Sequence, residues 1–206
     1  MIAGGQSLLL ADPLIAEHFG LLTQATATVA DPAIRHRATL GEALAHADPA
    51  GDLPAVALAL DATLIARGPD GEREIPATDF FADYLTTSLQ PGEILTAIRI
   101  PKLGPGWGYW YEKFRRTAQS WATVGVAALA RRANGSVAKV RIGLTNMGSI
   151  PVRAARPRTR PPGCRPSGTR CGPPPTAQVT ARNRRATCTA RLTTAGTWPG
   201  CSPAGH

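Results

Sequence analysis

Cysteine is missing from the first 152 residues of this 206-residue chain, and all four cysteines lie beyond them. This absence excludes disulfides and thiolate metal sites from the main body, and the spacing of the four in the last part fits no common zinc pattern. The start of the chain has no basic segment followed by a long apolar run, so no signal peptide is expected. No stretch approaches the length of a membrane span. These absences predict a cytoplasmic protein with no transmembrane segment.

Aspartate, glutamate and lysine are missing from residues 153–206, which contain ten arginines. The remaining 13 basic residues nearly balance the 14 acidic ones, so the net charge of +9 belongs to the last quarter of the chain. That segment is rich in Arg, Pro and Gly and has no hydrophobic periodicity, which predicts a disordered tail. Its arginines could bind nucleic acid without specificity, but no aromatic or structural motif accompanies them. We therefore expect no nucleic-acid partner.

Two glycine-rich stretches stand out in the nearly neutral body. The first is AGGQSL at residues 3–8, and the second is TLGEA at residues 39–43, followed by DPAGD at residues 48–52. Glycine lets the backbone turn tightly and approach a ligand closely. Small hydroxyl residues beside it add donors for phosphate oxygens. Together the two stretches predict a cradle for the pyrophosphate of a dinucleotide.

The hydrophobic pattern indicates an α+β fold whose first part is helical. Asp12 as N-cap and Pro13 at the first position predict a helix that runs to Leu22. Further helices are expected over residues 40–46 and 53–60. Strands are expected over residues 62–66 and 73–76, joined by a tight turn at residues 68–71. A helix over residues 78–85 and a strand over residues 94–100 complete this part.

The second part reads as a small antiparallel sheet. Strands are expected over residues 109–115, 122–130 and 137–147, with Asn134-Gly135 forming the turn between the last two. Four aromatic residues lie close together at its start, and we expect them to pack in a face of the sheet. They are Trp107, Tyr109, Trp110 and Tyr111.

Six stretches, taken as a set, resemble the FAD-binding (medium) subunit of molybdenum hydroxylases of the carbon monoxide dehydrogenase and xanthine dehydrogenase type. They are AGGQSL (3–8), ADPAIRHRATLG (30–41), AHADPAGDLPA (45–55), PGEIL (91–95), KFRR (113–116) and GLTNMGS (143–149).

The resemblance implies an incomplete FAD-binding domain of the PCMH type at residues 1–103 and a small antiparallel-sheet C-terminal domain at residues 104–152. The tail would occupy residues 153–206. In such oxidoreductase subunits, FAD passes electrons from iron–sulfur clusters of a partner to an acceptor. The implied partners are a molybdopterin-binding large subunit and a [2Fe–2S] small subunit. The alternative is a non-catalytic fragment that has lost flavin binding and at most docks on those subunits.

The resemblance also implies which residues bind the cofactor, and it assigns no catalytic or metal-binding side chain. The first loop would line one side of the pyrophosphate and the second loop the other, while Asp52 would contact the sugar-like portion. Asp52 could instead cap the helix that begins at Leu53-Pro54. The implied cofactor-binding set is Ala3, Gly4, Gly5, Gln6, Ser7, Thr39, Leu40, Gly41 and Asp52.

The sequence departs from the family pattern in three places. The two loops lie closer together than in the family, so strands and a helix between them are missing. The second loop reads Gly41-Glu42 where two glycines are usual, and a carboxylate facing the pyrophosphate would repel it unless it points to solvent. The third departure is the tail, where the family has helices. When the codons that could encode residues 187–206 are read one base out of register, they permit a C-terminal ending similar to that of the family. We therefore hypothesise a single-base frameshift near Arg153.

Overall fold

The computed structural model describes residues 5–154, with a helical part at residues 6–59 followed by a part made mainly of strands at residues 63–153. The helices are α1 (Gln6–Ala11), α2 (Pro13–His18), α3 (Gly20–Ala27), α4 (Pro32–Arg37), α5 (Leu40–His46), α6 (Asp52–Ala59) and α7 (Ala77–Phe80). The strands are β1 (Thr63–Gly68), β2 (Gly71–Pro76), β3 (Phe81–Asp83), β4 (Thr86–Thr87), β5 (Ile94–Arg99), β6 (Trp107–Phe114), β7 (Val124–Ala133), β8 (Ser136–Thr145) and β9 (Val152–Arg153). This mixture confirms the predicted α+β class.

The predicted tail and the hypothetical frameshift fall on residues 155–206, outside the described part, except that Arg153, at the predicted start of the tail, lies in β9. None of the helices between residues 5 and 154 is long and apolar enough to cross a membrane.

Short polar residues begin the helices of the first part. The Asp12 carboxylate accepts the Leu14 N–H at 2.8 Å at the start of α2, and the Asp31 carboxylate accepts the Ile34 N–H at 2.9 Å at the start of α4. Proline follows each aspartate at the first helical position. This arrangement satisfies backbone donors that have no partner inside the helix.

The single helix expected from Pro13 to Leu22 is divided into α2 and α3 at Phe19. Phe19 leaves the helical region of backbone angles, with φ −135° and ψ 40°, and its side chain is buried. The next residue, Gly20, lies against the hydroxyl of Tyr109, and a Cβ atom at position 20 would clash with that hydroxyl. The break lets α3 approach β6 closely, which a continuous helical pattern in the sequence does not reveal.

Helix α6 lies at the centre of the core. All of its residues from Asp52 to Ala59 are buried. It packs against α3 and α5 on one side and against β7 and β8 on the other. A helix that is apolar on every face must be covered on every face. The packing therefore fixes α6 between the helical part and the larger sheet.

The three-stranded sheet has the strand order β2-β1-β5. Its strands β1 and β2 form the expected hairpin, with Gly71 at φ +115° in the turn. The predicted helix over residues 78–85 is wrong. Only α7 is helical there, and β3 and β4 pair beyond it. Phe80 and Phe81 are both buried although they are adjacent in the sequence, and Leu85 has a left-handed φ of +51° that ends any regular helix.

The larger sheet has the order β6-β7-β8-β9, and all of its strands are antiparallel. Asn134 and Gly135, both with positive φ, form the predicted turn between β7 and β8. Such a pair matches the twist of a tight hairpin. The aromatic residues of β6 do not all pack inward. Tyr111 is buried, whereas Trp110 points outward and is 59% exposed.

Charged side chains join the helical part to the larger sheet near the end of α6. Asp61 forms ion pairs with Arg141 of β8, at 2.6 Å, and with Arg153 of β9. The Arg141 guanidinium also lies 4.8 Å from the centre of the Trp107 ring. Two guanidinium groups on one carboxylate hold the last strand of the sheet to the turn after α6.

Gly143 marks the closest approach of α6 and β8. A Cβ atom at this position would lie 2.0 Å from the carbonyl oxygen of Ala55. A side chain of any size would therefore separate the sheet from the central helix.

We predict that Gly143→Ala destabilises the fold by about 2–3 kcal/mol, because β8 must move away from α6. Urea denaturation measures this change in the free energy of unfolding. The matched control is Gly108→Ala in the same sheet, where the nearest atom to an added Cβ is 4.0 Å away. An equal loss in both variants contradicts the close-contact explanation.

Candidate functional site

The two glycine-rich loops meet in the structure. Gly5 and Thr39 form an antiparallel bridge, and the Gln6 N–H donates to the Ala38 carbonyl oxygen at 2.8 Å. An added Cβ at Gly5 would lie 3.5 Å from the His36 carbonyl oxygen, an ordinary contact distance. The segment between the loops therefore brings them side by side. Ala3 and Gly4 lie outside the described residues.

The second loop forms a complete capping box. The Glu42 N–H donates to Thr39 Oγ1 at 3.0 Å. Glu42 Oε2 in turn accepts the Thr39 N–H at 2.9 Å and the Thr39 hydroxyl at 3.1 Å. A capping box stabilises the start of a helix by pairing donors that are otherwise free. Glu42 thus takes up both Thr39 donors that the sequence analysis assigned to a phosphate group.

The other predicted loop residues have different surroundings. The Leu40 side chain is buried in the core and contributes packing. Gly41 is open, since the nearest atom to an added Cβ is Thr39 Oγ1 at 3.9 Å. Ser7 is half-buried on α1.

A cavity of about 370 Å³ lies between the helical part and the loop that joins β6 to β7. Its volume falls within the range of small-molecule sites. Gln6 and Asp52 are the described members of the predicted set that form its wall. The rest of the wall is mainly apolar with a few polar groups: Val29, Ala30, Ile34, Ala38, Glu42, Ala43, His46, Asp48, Gly51, Leu53, Pro54, Lys113, Gln119, Ser120 and Trp121.

Two side chains of the wall have unused binding capacity. Gln6 is 2% exposed, and its Oε1 atom has no hydrogen-bond partner. Buried polar atoms in native proteins usually have one, so a ligand donor in the cavity would satisfy it. Trp121 is 61% exposed and offers a flat aromatic surface for stacking.

A buried ion pair forms one side of the cavity. Lys113 Nζ lies 2.7 Å from Asp52 Oδ2, and both side chains are about 95% buried. The ammonium also donates to the Thr28 carbonyl oxygen at 3.1 Å. The Tyr111 hydroxyl donates to the other carboxylate oxygen, Asp52 Oδ1, at 2.5 Å. Asp52 therefore does not cap α6, whose N-cap is Gly51 with no side-chain bond.

Burial dominates the electrostatics of this group. The pKa of Asp52 is raised because burial disfavours its charged form, although hydrogen bonds from Lys113 and Tyr111 and the charges of Lys113 and Arg115 act in the opposite direction. The pKa of Tyr111 is also raised, first by burial and then by the neighbouring carboxylate. Lys113 and Asp52 thus bring a compact buried ion pair to a wall that is mainly apolar.

Lys113 is a site residue that the sequence analysis missed. KFRR at residues 113–116 contributed to the family resemblance but received no role. The signal was present in the strand alternation, since Lys113 shares a face of β6 with the buried Tyr111. A lysine on an inward face needs a buried partner, and that partner is 61 positions earlier in the chain.

Two protein families match successive parts of the chain. Residues 2–103 match the family described as the FAD binding domain in molybdopterin dehydrogenase. Residues 109–159 match the CO dehydrogenase flavoprotein C-terminal domain.

Individual relatives agree with these matches. The chain is 36% identical over 152 residues to the carbon monoxide dehydrogenase medium chain of Hydrogenophaga pseudoflava, covering 74% of this chain and 53% of that one. It is 38% identical over 130 residues to the nicotine 6-hydroxylase medium subunit of Paenarthrobacter nicotinovorans, covering 63% and 45%. A solved carbon monoxide dehydrogenase structure from Hydrogenophaga pseudoflava superposes with a TM-score of 0.71 at 37% identity, covering 72% and 52%. The chain spans about half the length of these relatives.

The raised pKa of Asp52 predicts a pH-dependent contribution to stability. The folded chain binds this proton more tightly than the unfolded chain, so the contribution is fully present below the ordinary aspartate pKa and is lost as the pH rises through the raised value. We expect the wild type to gain free energy of unfolding relative to Asp52→Asn between about pH 7 and about pH 4.

Urea denaturation at a series of pH values measures this difference, with the exposed Asp79→Asn as the control for loss of one carboxyl group. A difference between wild type and Asp52→Asn that stays constant, or that shrinks on acidification, contradicts the expected proton uptake.

Proposed function

We propose the following function for this chain, which belongs to the family of FAD-binding medium subunits of molybdenum hydroxylases. It binds FAD between its helical part and its larger sheet and works as an electron-transfer subunit of an oxidoreductase. Its partners would be a molybdopterin-binding large subunit and a [2Fe–2S] small subunit in the cytoplasm. The observation that carries this proposal is the cavity between the helical part and the loop that joins β6 to β7, with Gln6, Asp52, Lys113 and Trp121 in its wall.

The residues present fit the flavin end of the cofactor. The apolar wall and the Trp121 ring suit a planar aromatic system, and Gln6 Oε1 offers an unused acceptor. Asp52 is our candidate for a contact to the sugar-like portion. Lys113 brings a positive charge, which would favour a ligand group that carries negative charge. When bound, FAD would supply the redox chemistry, and these side chains would orient it and limit its contact with water.

The pyrophosphate end fits less well. We assign it to Ala3, Gly4, Gly5, Gln6 and Ser7 of the first loop and to Thr39, Leu40 and Gly41 of the second loop. There, the Glu42 carboxylate already holds the Thr39 N–H and hydroxyl. This observation supports the second candidate function, a chain that docks on the partner subunits but has lost flavin binding.

Titration of the full chain with FAD separates the two candidates. We expect a yellow complex with one FAD per chain, quenched flavin fluorescence and co-elution of protein and flavin on gel filtration. Riboflavin, which lacks the pyrophosphate, tests the flavin end alone. A protein that stays colourless after incubation with an excess of FAD, and also with an excess of riboflavin, supports the docking fragment instead.

Removing the Glu42 carboxylate should strengthen FAD binding and weaken the fold. In Glu42→Ala, a negative charge leaves the wall and the Thr39 donors become free, so we expect the Kd for FAD to fall about tenfold or more. Loss of the capping box should cost about 1 kcal/mol of stability. The two effects have opposite signs, so a general loss of structure cannot imitate them.

The matched control is Glu17→Ala, which removes a carboxylate from an exposed position of α2 outside the cavity wall. Isothermal calorimetry gives the affinity and thermal melting gives the stability. Equal or weaker FAD binding by Glu42→Ala, relative to Glu17→Ala, contradicts the proposed competition.

A further inference from the structure

Contacts from several elements hold Tyr111 in position beside Asp52. Its backbone N–H donates to Gln24 Oε1 of α3 at 2.8 Å. Its hydroxyl occupies a narrow slot beside Gly125, where an added Cβ would lie 2.6 Å from it. Thr145 closes the other side of the slot and donates its own hydroxyl to the Gly51 carbonyl oxygen at 3.2 Å. Tyr111 as a whole is 4% exposed, so packing sets its position.

The hydroxyl of this rigid ring determines how the Asp52 carboxylate is turned. Tyr111 binds Oδ1 at 2.5 Å, which leaves Oδ2 for Lys113 at 2.7 Å. A carboxylate that is fixed through one oxygen presents the other in a fixed direction, and the ammonium follows it. Without the phenol, the carboxylate could rotate about its side-chain bonds. Asp52 and Lys113 both line the cavity, whereas Tyr111 does not.

We propose that Tyr111 is a positioning residue of the flavin site, which fixes the Asp52 carboxylate and, through it, the Lys113 ammonium against the ligand. This inference rests on the proposed function, because Asp52 and Lys113 matter to a ligand only if the cavity binds one. Preorganised charged groups bind more tightly than mobile ones, since no ordering is needed when the ligand arrives.

The charges around Asp52 support this role. Burial raises the pKa of Asp52. The charges of Lys113 on β6 and of Arg115 just after it favour the ionised carboxylate, and so does the hydrogen bond from Tyr111. Thr145 contacts Tyr111 from β8. Removing the phenol hydroxyl should raise the pKa of Asp52 further. A carboxyl that is neutral in more of the molecules is a poorer acceptor and a poorer partner for Lys113.

The experiment is a double-mutant cycle on the full chain, with FAD affinity as the readout. Tyr111→Phe keeps the ring and removes the hydroxyl, so we expect the melting temperature to change by only a few degrees and the Kd for FAD to rise about tenfold. In the Asp52→Asn background, the same substitution should have little further effect, because the residue through which Tyr111 acts has changed. Tyr109→Phe, on the same strand and beside Gly20, is the matched control and should bind FAD as the wild type does.

A pH series provides a readout that a merely structural role would not move. FAD affinity should fall on acidification as Asp52 takes up its proton, and the midpoint should lie at higher pH in Tyr111→Phe than in the wild type or Tyr109→Phe. Unchanged affinity and midpoint in Tyr111→Phe overturn the inference, as does an equal loss of affinity with and without the Asp52 carboxylate. If the wild type and Glu42→Ala both fail to bind FAD, the proposed function fails and this inference with it.

Discussion

The ion pair between Asp52 and Lys113 connects the two parts of the molecule through two buried side chains. Asp52 is the first residue of the central helix, and Lys113 lies on the first strand of the larger sheet. Burying two charges is costly, and the cost is offset only when every donor and acceptor finds a partner. Here Tyr111 and the Thr28 carbonyl provide those partners. The pair therefore specifies how the sheet docks on the helices, since any other arrangement would leave a charge buried alone.

Glu42 shows how one residue serves local stability at the expense of a ligand. Its carboxylate completes a capping box that stabilises α5, and the same bonds occupy donors at the junction of the two loops. A phosphate oxygen and a carboxylate oxygen are similar acceptors for an N–H and a hydroxyl. The helix start thus carries an internal anion where the family resemblance places a phosphate. If FAD binds as proposed, its affinity would depend on the difference between these two acceptors as well as on the loop geometry.

Local signals in the sequence predicted local structure well. The bounds of α5 agree with the expected residues 40–46, because Thr39 caps its start and Ala47, at φ +53°, ends it. The Asn134-Gly135 turn and the strands beside it were readable for the same reason. The break at Phe19, the short α7 and the role of Lys113 depend on neighbours that are far away in the chain. Of the candidate site, the sequence indicated Gln6 and Asp52. Strand alternation placed Lys113 on the inward face of β6 but did not identify its partner, and no pattern marked Trp121 as part of the cavity wall.

The cavity draws its wall from residues that are far apart in the chain, from Gln6 in α1 to Trp121 after β6. Its central ion pair joins residues 61 positions apart, and the Asp61–Arg153 bond spans 92 positions. During synthesis, the first part leaves the ribosome long before the second. A helical half that emerges alone has neither the cation nor the aromatic ring of the wall. In the proposed function, FAD would therefore bind only after the sheet has folded against α6. A chain that ends before β6 lacks Lys113, Tyr111 and Trp121, so its Asp52 would have neither of the side-chain partners that it has in the folded protein.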